Sequence, residues 1–510
     1  MHTAVEQRLI AAVGAGDLLD LAGDGPVDEA AMHSWGAERT ISAEVIRELV
    51  RGRLAGDPDP HGIRLRGARI AGRIDLENIT SDVAVELRDC LLPDGLTLQN
   101  AQLRAVALVG CRIEQTVEAT RLTARTSFSL SGSTVTGAVR LLAAHVGTLD
   151  CGGARLESDE GPALDADGLR TDQSVFLRNG FSAVSGSERG TVRLLGAEIA
   201  GQLNCRGARM ENSAGAALDI GNARVSREVL LSDGFTAVAA AAEGAIRLIG
   251  AQLGALSCGG ARIANDSGPA IVGDGLHIDR DLALDWGFRA TGAGDRAVVE
   301  LPFVRVGGSL ALEIDGITSV DLDGLTYTGL PWPTSARRWL TLLRDHTPGY
   351  SAQAYQQLAG AYRTAGHDRD ARAILIAQRR DQIQRAGLSR SERAWSRVTG
   401  FTLGYGYQPW RALLLLLATL AAAVVLSVVG GHHGGLAQKP GTAACSTVDQ
   451  IGVGLDLGTP LLKTGARDRC QPTATATGQT LTVAGWLLQL FAWTFATLFI
   501  AGFTSAVRKT

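Results

Sequence analysis

The chain is poor in aromatic residues and lacks the short motifs by which nucleotide-dependent and redox enzymes are recognised. Aromatic residues make up 5% of its 510 positions. It contains no Gly-x-Gly-x-x-Gly after a strand, no Cys-x-x-Cys, no phosphate-binding loop and no nucleophile-elbow motif. We therefore expect no cofactor, no bound metal ion and no catalytic residue, and the sequence favours a protein that is not an enzyme.

The first residues do not follow the pattern of a signal peptide. Met1 to Leu21 is amphipathic and charged, whereas a signal peptide has a basic start followed by an apolar core. We expect the N-terminal body to stay in the cytoplasm. The net charge of −3 points to no particular partner.

Three copies of one unit of 53–54 residues occupy residues 149–309. The copies begin at Leu149, Leu203 and Leu256, and each opens with Leu-x-Cys-x-Gly-Ala-Arg. A fixed period indicates a solenoid, in which each copy buries its apolar edge only against its neighbours. The short alternating segments between glycines are typical of strands. Half of the period, about 27 residues, fits one turn of a β-helix whose strands stack at about 4.8 Å.

Residues 61–148 continue the pattern in shorter coils. Apolar segments that begin at Ile63, Val85, Val106 and Phe128 align at spacings of 22, 21 and 22 residues. Their small-x-apolar-x-Gly units, such as Ser133 to Gly137, resemble the relaxed five-residue unit of pentapeptide-repeat proteins. That resemblance implies a right-handed quadrilateral β-helix. The predicted fold is therefore mainly β, with one solenoid over residues 61–330.

Helical segments flank the predicted solenoid. Residues 3–21 and 42–51 read as helices within an N-terminal cap of residues 1–60, which covers the first coil because an open edge promotes aggregation. The pattern Leu-Ala-x-x-Tyr-x-x-x-Gly runs from Leu358 to Gly366, and with it residues 331–388 resemble a single tetratricopeptide hairpin. One hairpin does not stand alone, so we favour a C-terminal cap over a peptide-binding groove.

Two uncharged segments near the C-terminus are long enough to cross a membrane. They are residues 412–429 and 481–503, and a basic aromatic segment of residues 389–411 precedes the first. Basic residues on the outer flanks place both chain ends in the cytoplasm, including the tail of residues 504–510. The loop of residues 430–480 is then extracytoplasmic. We expect a two-pass protein of the plasma membrane.

Charge is distributed unevenly along the chain. Residues 62–330 carry 25 Arg against 33 Asp and Glu, whereas residues 331–411 carry 13 Arg against 5. Arginines near an anionic leaflet bind it, while the acidic body is repelled. The predicted membrane-surface residues are Arg379, Arg380, Arg385, Arg390, Arg393, Arg397 and Arg411.

The seven cysteines divide into two groups. Cys151, Cys205 and Cys258 recur two coils apart, roughly 10 Å, which is too far for one metal ion. We expect them to be inward core positions, equivalent to Leu76, Leu98, Leu141 and Leu312 of other coils. Cys90 and Cys111 lie one coil apart and form a stacked thiol pair. Cys445 and Cys470 lie in the extracytoplasmic loop, where we expect a disulfide.

A ladder of carboxylates, as used by some secreted β-helices to cleave acidic sugars, is incomplete here. Asp165 and Asp219 occupy equivalent positions, but Val272 takes the third. The pattern therefore does not favour a glycan-cleaving site.

Taken whole, the chain resembles a group of actinobacterial membrane proteins that are often labelled membrane-associated oxidoreductase. The resemblance rests on the Gly-Ala-Arg coils, the segment from Gly404 to Arg411 and the segment from Ala496 to Thr504. It implies an oxidoreductase as one alternative. A second alternative is a solenoid that mimics DNA and binds topoisomerase. We favour a membrane-tethered scaffold that binds a cytoplasmic protein and the anionic bilayer, and expect no nucleic acid.

Overall fold

The computed structural model describes residues 2–23, 25–385, 389–406, 408, 410–439, 441, 443–459 and 464–508. The chain forms two compact units, Met1–Asp370 and Ala371–Thr510. The first is a parallel β-solenoid with helices at both ends, and the second is helical and includes two long apolar helices. The predicted fold class is confirmed.

Three parallel sheets run the length of the solenoid, and neighbouring strands in each sheet belong to successive coils. Sheet A has 17 strands: Leu19–Asp20, Ile63–Arg66, Thr80–Ser81, Val85–Arg88, Gln102–Val109, Thr123–Ser129, His145–Asp150, Arg170–Thr171, Val175–Phe176, Glu198–Ile199, Leu203–Asn204, Arg224–Leu230, Gln252–Ser257, His277–Ile278, Leu282–Leu284, Arg305–Val306 and Leu310–Leu312. Sheet B has 11: Thr40–Ser42, Arg69–Ala71, Leu91–Leu92, Arg112–Ile113, Thr134–Thr136, Arg155–Ser158, Ser182–Ser185, Arg209–Asn212, Thr236–Ala239, Arg262–Asn265 and Arg289–Thr291. Sheet C also has 11: Ile74–Asp75, Leu96–Thr97, Val117–Glu118, Val139–Arg140, Leu164–Asp165, Val192–Arg193, Leu218–Asp219, Ile246–Arg247, Ile271–Val272, Val299–Glu300 and Val320–Asp321.

The long sequence repeat corresponds to two coils. Leu149 pairs with Val175, and Val175 pairs with Leu203, so one intermediate coil separates successive copies. The two coils differ in the side chains that they place at the corner between sheets A and B. Buried alanine and buried phenylalanine alternate there from coil to coil: Ala154, Phe181, Ala208, Phe235, Ala261 and Phe288. The rings of Phe181 and Phe235 therefore each lie between two alanines, and this alternation makes the repeat two coils long.

The backbone of this corner follows the same alternation. Coils with alanine turn through one left-handed residue, such as Gly207 (φ 64°). Coils with phenylalanine have one more residue and turn through two, at Asn179-Gly180, Asp233-Gly234 and Trp286-Gly287. Asn and Asp tolerate the left-handed region, but a bulky residue such as Trp286 (φ 49°) is an outlier.

The N-terminal module covers the first coil with both strands and helices. Helix α1 (Ala4–Ala15) begins with a capping box from Thr3 to Glu6, and α2 (Ala43–Val50) begins at the cap Ser42. The predicted helix over residues 3–21 is too long, because Gly16 ends α1 in the left-handed region and Leu19–Asp20 continues as a strand of sheet A. Two short 3-10 helices, Glu29–Ser34 and Ala37–Arg39, lie between the two α-helices.

Helices α3 (Ala336–Asp345) and α4 (Ala352–Thr364) cover the last coil. A 3-10 turn, Ile314–Gly316, lies within that coil. The side-chain amide of Gln353 donates to the Leu325 carbonyl at 2.8 Å, and Gln357 donates in the same way to Tyr327. The backbone N–H of Val320 donates to His346 O at 2.7 Å. These helices therefore satisfy polar groups at the open edge, as expected of a C-terminal cap.

The second unit begins within α5 (Asp368–Arg385) and continues through α6 (Arg390–Leu403), the 3-10 turn Gly404–Gly406 and α7 (Trp410–His432). Helices α8 (Thr447–Gly458), α9 (Ala466–Arg469) and α10 (Ala476–Arg508) complete it. A two-stranded antiparallel ribbon joins Leu436–Gln438 to Cys470–Pro472. Helix α8 lies within the segment that was predicted to be an extracytoplasmic loop.

Substitution of Leu284 by Asp should destabilise the solenoid by about 3–5 kcal/mol, because a charge would be buried without a partner. Leu284 is fully inside, between Leu312 and the preceding coil. Its neighbour Ala283 faces outward, so Ala283→Asp should change stability by no more than about 0.5 kcal/mol. Chemical denaturation and limited proteolysis measure both effects. Equal stability of the two variants would contradict the assigned inward face.

Candidate functional site

The five cysteines of the solenoid are core residues. Cys90, Cys111, Cys151, Cys205 and Cys258 are all free and buried. Burial raises the pKa of the Cys151, Cys205 and Cys258 thiols, so these groups stay protonated and unreactive at neutral pH. The predicted packing role is confirmed for this group.

The equivalence of these cysteines to Leu76, Leu98 and Leu141 is wrong. Those three leucines follow strands of sheet C, whereas Cys151 follows a strand of sheet A. The register of sheet A instead aligns Leu65, Leu87 and Leu108 with one another, and later places Leu284 beside Leu312. Among the predicted equivalents, only Leu312 lies in the same column.

Cys90 and Cys111 lie on neighbouring coils, as predicted. The strand residues that follow them, Leu91 and Arg112, are paired. Each thiol donates to a backbone carbonyl, Cys90 to Arg88 at 3.1 Å and Cys111 to Leu87 at 3.3 Å. Burial raises the pKa of Cys111. The pair is therefore a packed, hydrogen-bonded part of the core.

Carboxylates on sheet C alternate with arginines. The register runs from Asp165 through Arg193, Asp219 and Arg247 to Val272. Asp165 is 2% exposed and pairs with Arg189 at 3.1 Å. Asp219 pairs with Arg247 at 3.4 Å.

This arrangement does not resemble a pair of catalytic acids. An arginine lies between the two aspartates in the ladder, so the carboxylates do not face one another across an open space. Burial raises the pKa of Asp165, whose Oδ1 atom has no hydrogen-bond partner in the part of the chain that the structure describes. Among the described residues, no group of His, Cys, Asp and Glu side chains is arranged to hold a metal ion.

Sheet B carries a second charged pattern on its outer face. Arginines recur on it at Arg69, Arg112, Arg155, Arg209, Arg262 and Arg289. In the middle coils a glutamate follows two residues later, and Arg112 pairs with Glu114 at 2.9 Å. Ala264 and Thr291 replace the glutamates in the last two coils. The outer surface is therefore a mixture of both signs rather than a continuous negative strip.

A small cleft lies between the last coil and the C-terminal cap. Its volume is about 220 Å³, and its lining includes Asp321, Asp323, Tyr350 and Tyr355. Ser351 donates to Asp323 at 2.7 Å, while the buried Tyr350 hydroxyl has no partner among the described residues. Such a cleft holds several water molecules, each of which takes about 30 Å³.

All seven predicted membrane-surface arginines lie on helices of the second unit. Arg379, Arg380 and Arg397 are exposed, while Arg385 is partly buried and pairs with Asp381 at 3.4 Å. Arg411 lies in the first turn of α7 and is partly exposed. The side chains of Arg390 and Arg393 lie outside the described residues. Membrane binding by this set stays a prediction.

Two helices are long and apolar enough to cross a membrane, Trp410–His432 and Ala476–Ala501. Only 22% and 11% of their most apolar windows are buried. Helix α7 extends beyond the predicted segment 412–429 at both ends, and α10, which contains the second span, extends beyond 481–503. Large apolar side chains are exposed along them, among them Leu414, Leu417, Val425, Trp486, Leu490 and Phe491.

Cys445 and Cys470 form a disulfide beside α8, with their Cα atoms 6.2 Å apart. Both cysteines pack in one apolar cluster with Ala423, Val453 and Leu457. The bridge closes a segment of 25 residues that contains α8 and α9. The oxidation state of the pair in the cell stays a prediction.

No family model, curated protein or solved structure matches this chain.

The resemblance to actinobacterial membrane proteins is therefore a proposal, as is the oxidoreductase label that accompanies it. The residues described above form core positions of the solenoid, ion pairs on its sheets and two apolar helices.

Thiol titration tests the cysteine assignment. The oxidised, unfolded chain should react with five equivalents of a thiol reagent, since Cys445 and Cys470 are bonded to each other. The native chain should react slowly, because burial raises the pKa of Cys151, Cys205 and Cys258 and blocks access. Seven equivalents without a reducing agent would contradict the disulfide.

Proposed function

We propose that this chain is a membrane-tethered scaffold, in which α7 and α10 span the bilayer and the solenoid presents its surface to a protein partner. The observation that carries the proposal is the exposure of large apolar side chains along both helices, for example Leu414 and Leu490. An exposed apolar surface of this extent is costly in water and is satisfied by lipid. The solenoid supports the scaffold role because stacked coils form long, regular faces suited to binding.

Both chain ends lie on the cytoplasmic side in this proposal, and the Cys445–Cys470 region lies outside. Arginines before α7 and the basic residues Arg508 and Lys509 at the end of the sequence support that orientation through the positive-inside rule. Exposed Phe401 and Trp410 are suited to the interface between water and lipid. Exposed Arg379, Arg380 and Arg397 then face an anionic leaflet, where each contributes about 1 kcal/mol.

Helix α8 re-enters the membrane from the outer side in the same proposal. It packs antiparallel to α7: Gln450 lies beside Gly431, and a Cβ at Gly454 would lie 2.5 Å from the Cα of Val424. Gly458 lies close to Leu420. At 1.5 Å per residue, Leu420 is about 16 Å from Gly431 along the axis of α7, toward the N-terminus of that helix. Helix α8 therefore reaches about half of the span.

The interior of α8 is suited to that depth because protein encloses it. Residues 452–454 and 456–458 are buried, and the Asp456 carboxylate accepts a hydrogen bond from Thr464 N. Polar groups at membrane depth are tolerated where protein covers and pairs them. This hydrogen bond links α8 to the segment that begins at Thr464.

No observation favours the two alternatives. An oxidoreductase requires a redox site, and the sequence supports none through a dinucleotide-binding or Cys-x-x-Cys motif. A DNA mimic requires a continuous negative surface, which the recurrent arginines of sheet B interrupt.

Topology reporters test the tether. A fusion at Pro60 and one at the C-terminus should both report the cytoplasm, while an insertion after Gly441 should report the outside. The chain should stay in the membrane pellet after an alkaline carbonate wash. If the fusion at Pro60 reported the outside of the cell, the solenoid could not bind a cytoplasmic partner, and the proposal would be contradicted.

Cysteine labelling in intact cells tests the depth of α8. Val448 is exposed near the outer end of α8, so Val448→Cys should react with a membrane-impermeant maleimide. Leu455→Cys lies two turns deeper and should react at least tenfold more slowly. Equal labelling would mean that α8 lies in water, even if the reporters confirm two spans.

A further inference from the structure

At its C-terminal end, the outer face of sheet A carries two uncovered tryptophans. Trp286 is 84% exposed and Trp332 is 46% exposed. The register brings them to one part of the face: Ala283 pairs with Ala311, and Ala311 bridges to Trp332. Trp286 follows Ala283 by three residues. The surface formed by Asp285, Trp286, Glu313 and Trp332 is called the aromatic end below.

The backbone of Trp286 indicates that its indole does not serve folding. Its φ is 49°, in the left-handed region, where the equivalent corners of earlier coils have Asn179 and Asp233. A bulky side chain is disfavoured there, and such strain is retained where function needs it. Because the indole is mostly exposed, packing does not offset the strain.

Charge changes sign along the same face. The sheet register aligns one residue of each coil with Ala283, and these aligned residues form a column. Two residues after this column, on the outer face, successive coils have Arg178, Arg206, Ser232, Gly259, Asp285 and Glu313. Asp285 and Glu313 thus stack as neighbours, about 4.8 Å apart along the sheet. Neither has an ion pair within the described ranges. Burial and the Glu313 carboxylate raise the pKa of Asp285.

In an earlier coil, these two aligned positions hold an aromatic ring and an arginine. Phe176 lies in the column that ends at Trp332, and Arg178 lies in the column of Asp285. The Arg178 guanidinium lies 4.3 Å from the ring centroid of Phe176. In the N-terminal module, Arg39 covers Trp35 in the same way at 5.3 Å. The chain covers these aromatic rings with its own arginines, whereas the aromatic end has carboxylates in place of the cation.

From this complementarity we propose that the aromatic end binds an arginine-bearing segment of a protein partner. The guanidinium stacks on the indole of Trp286 and pairs with Asp285 and Glu313, as a planar cation does on aromatic faces and carboxylates. Residues 274–323 carry ten acids against four arginines, so this end of the solenoid attracts cations and repels an anionic bilayer. The inference rests on the proposed scaffold function and adds to it a surface and a class of partner.

The test uses the full chain in nanodiscs of neutral lipid. The probe is a fluorescein-labelled nine-residue peptide of alternating Arg and Gly, followed by fluorescence anisotropy, with the Lys-Gly peptide as its match. We expect the Arg peptide to bind at least fivefold more tightly than the Lys peptide, because guanidinium stacks better on indole. Trp286→Asn and the double variant Asp285→Asn with Glu313→Gln should each weaken binding at least tenfold.

Two controls separate binding from folding. Trp286→Asn places in the corner the residue type found at Asn179, so its thermal stability should equal or exceed that of the parent chain. Val184→Ala truncates an apolar side chain that is 43% exposed on sheet B and should leave peptide binding unchanged.

Several results would overturn the inference. They are unchanged binding by Trp286→Asn, equal affinity for the two peptides, equal loss of binding in Val184→Ala, or binding of the unmodified chain to anionic vesicles through Trp286. Failure of the tether is seen separately, as loss of the chain from the membrane pellet. A chain that stays in the membrane but does not bind the peptide retains the tether and loses only the docking surface.

Discussion

Hydrogen bonding between successive coils is the constraint on which the first unit depends. Strands such as Val85–Arg88 bond to one strand before and one after, so each coil is incomplete without two neighbours. The first and last coils therefore need hydrogen-bond partners from outside the repeated coils. At the first coil they are the strands Leu19–Asp20 and Thr40–Ser42, and at the last coil they are the amides of Gln353 and Gln357. The N-terminal strands and the C-terminal helix α4 are thus part of the hydrogen bonding of the solenoid.

The sequence predicts this architecture well where the pattern is periodic. The alignment of Ile63, Val85, Val106 and Phe128 agrees with the observed pairing, and Cys151, Cys205 and Cys258 are core residues. The alignment of Leu76 with these cysteines failed because Ile74-Asp75-Leu76 and Leu149-Asp150-Cys151 have the same local pattern. An apolar residue, an acid and a second apolar residue before a turn occur in both sheet A and sheet C, and only pairing distinguishes them.

The surface of the solenoid and helix α8 were less predictable for physical reasons. Helix α8 is short, glycine-rich and contains Asp456, so its local pattern reads as a loop. Its packing depends on the closeness of Gly454 to Val424, which no local pattern encodes. Trp286 stands in the repeat where earlier copies have Asn179 and Asp233, but its exposure and left-handed backbone are properties of the folded corner. A break in a repeat identifies such a residue only once the shared backbone geometry is known.

The alternation of Ala208 and Phe235 has a consequence for how a solenoid of this kind can change in length. Removing one coil would bring two phenylalanines or two alanines into adjacent layers, which leaves either a clash or a void in the corner. Removing two coils restores the alternation and the order of short and long turns. The number of coils in this part of the solenoid can therefore change only in steps of two.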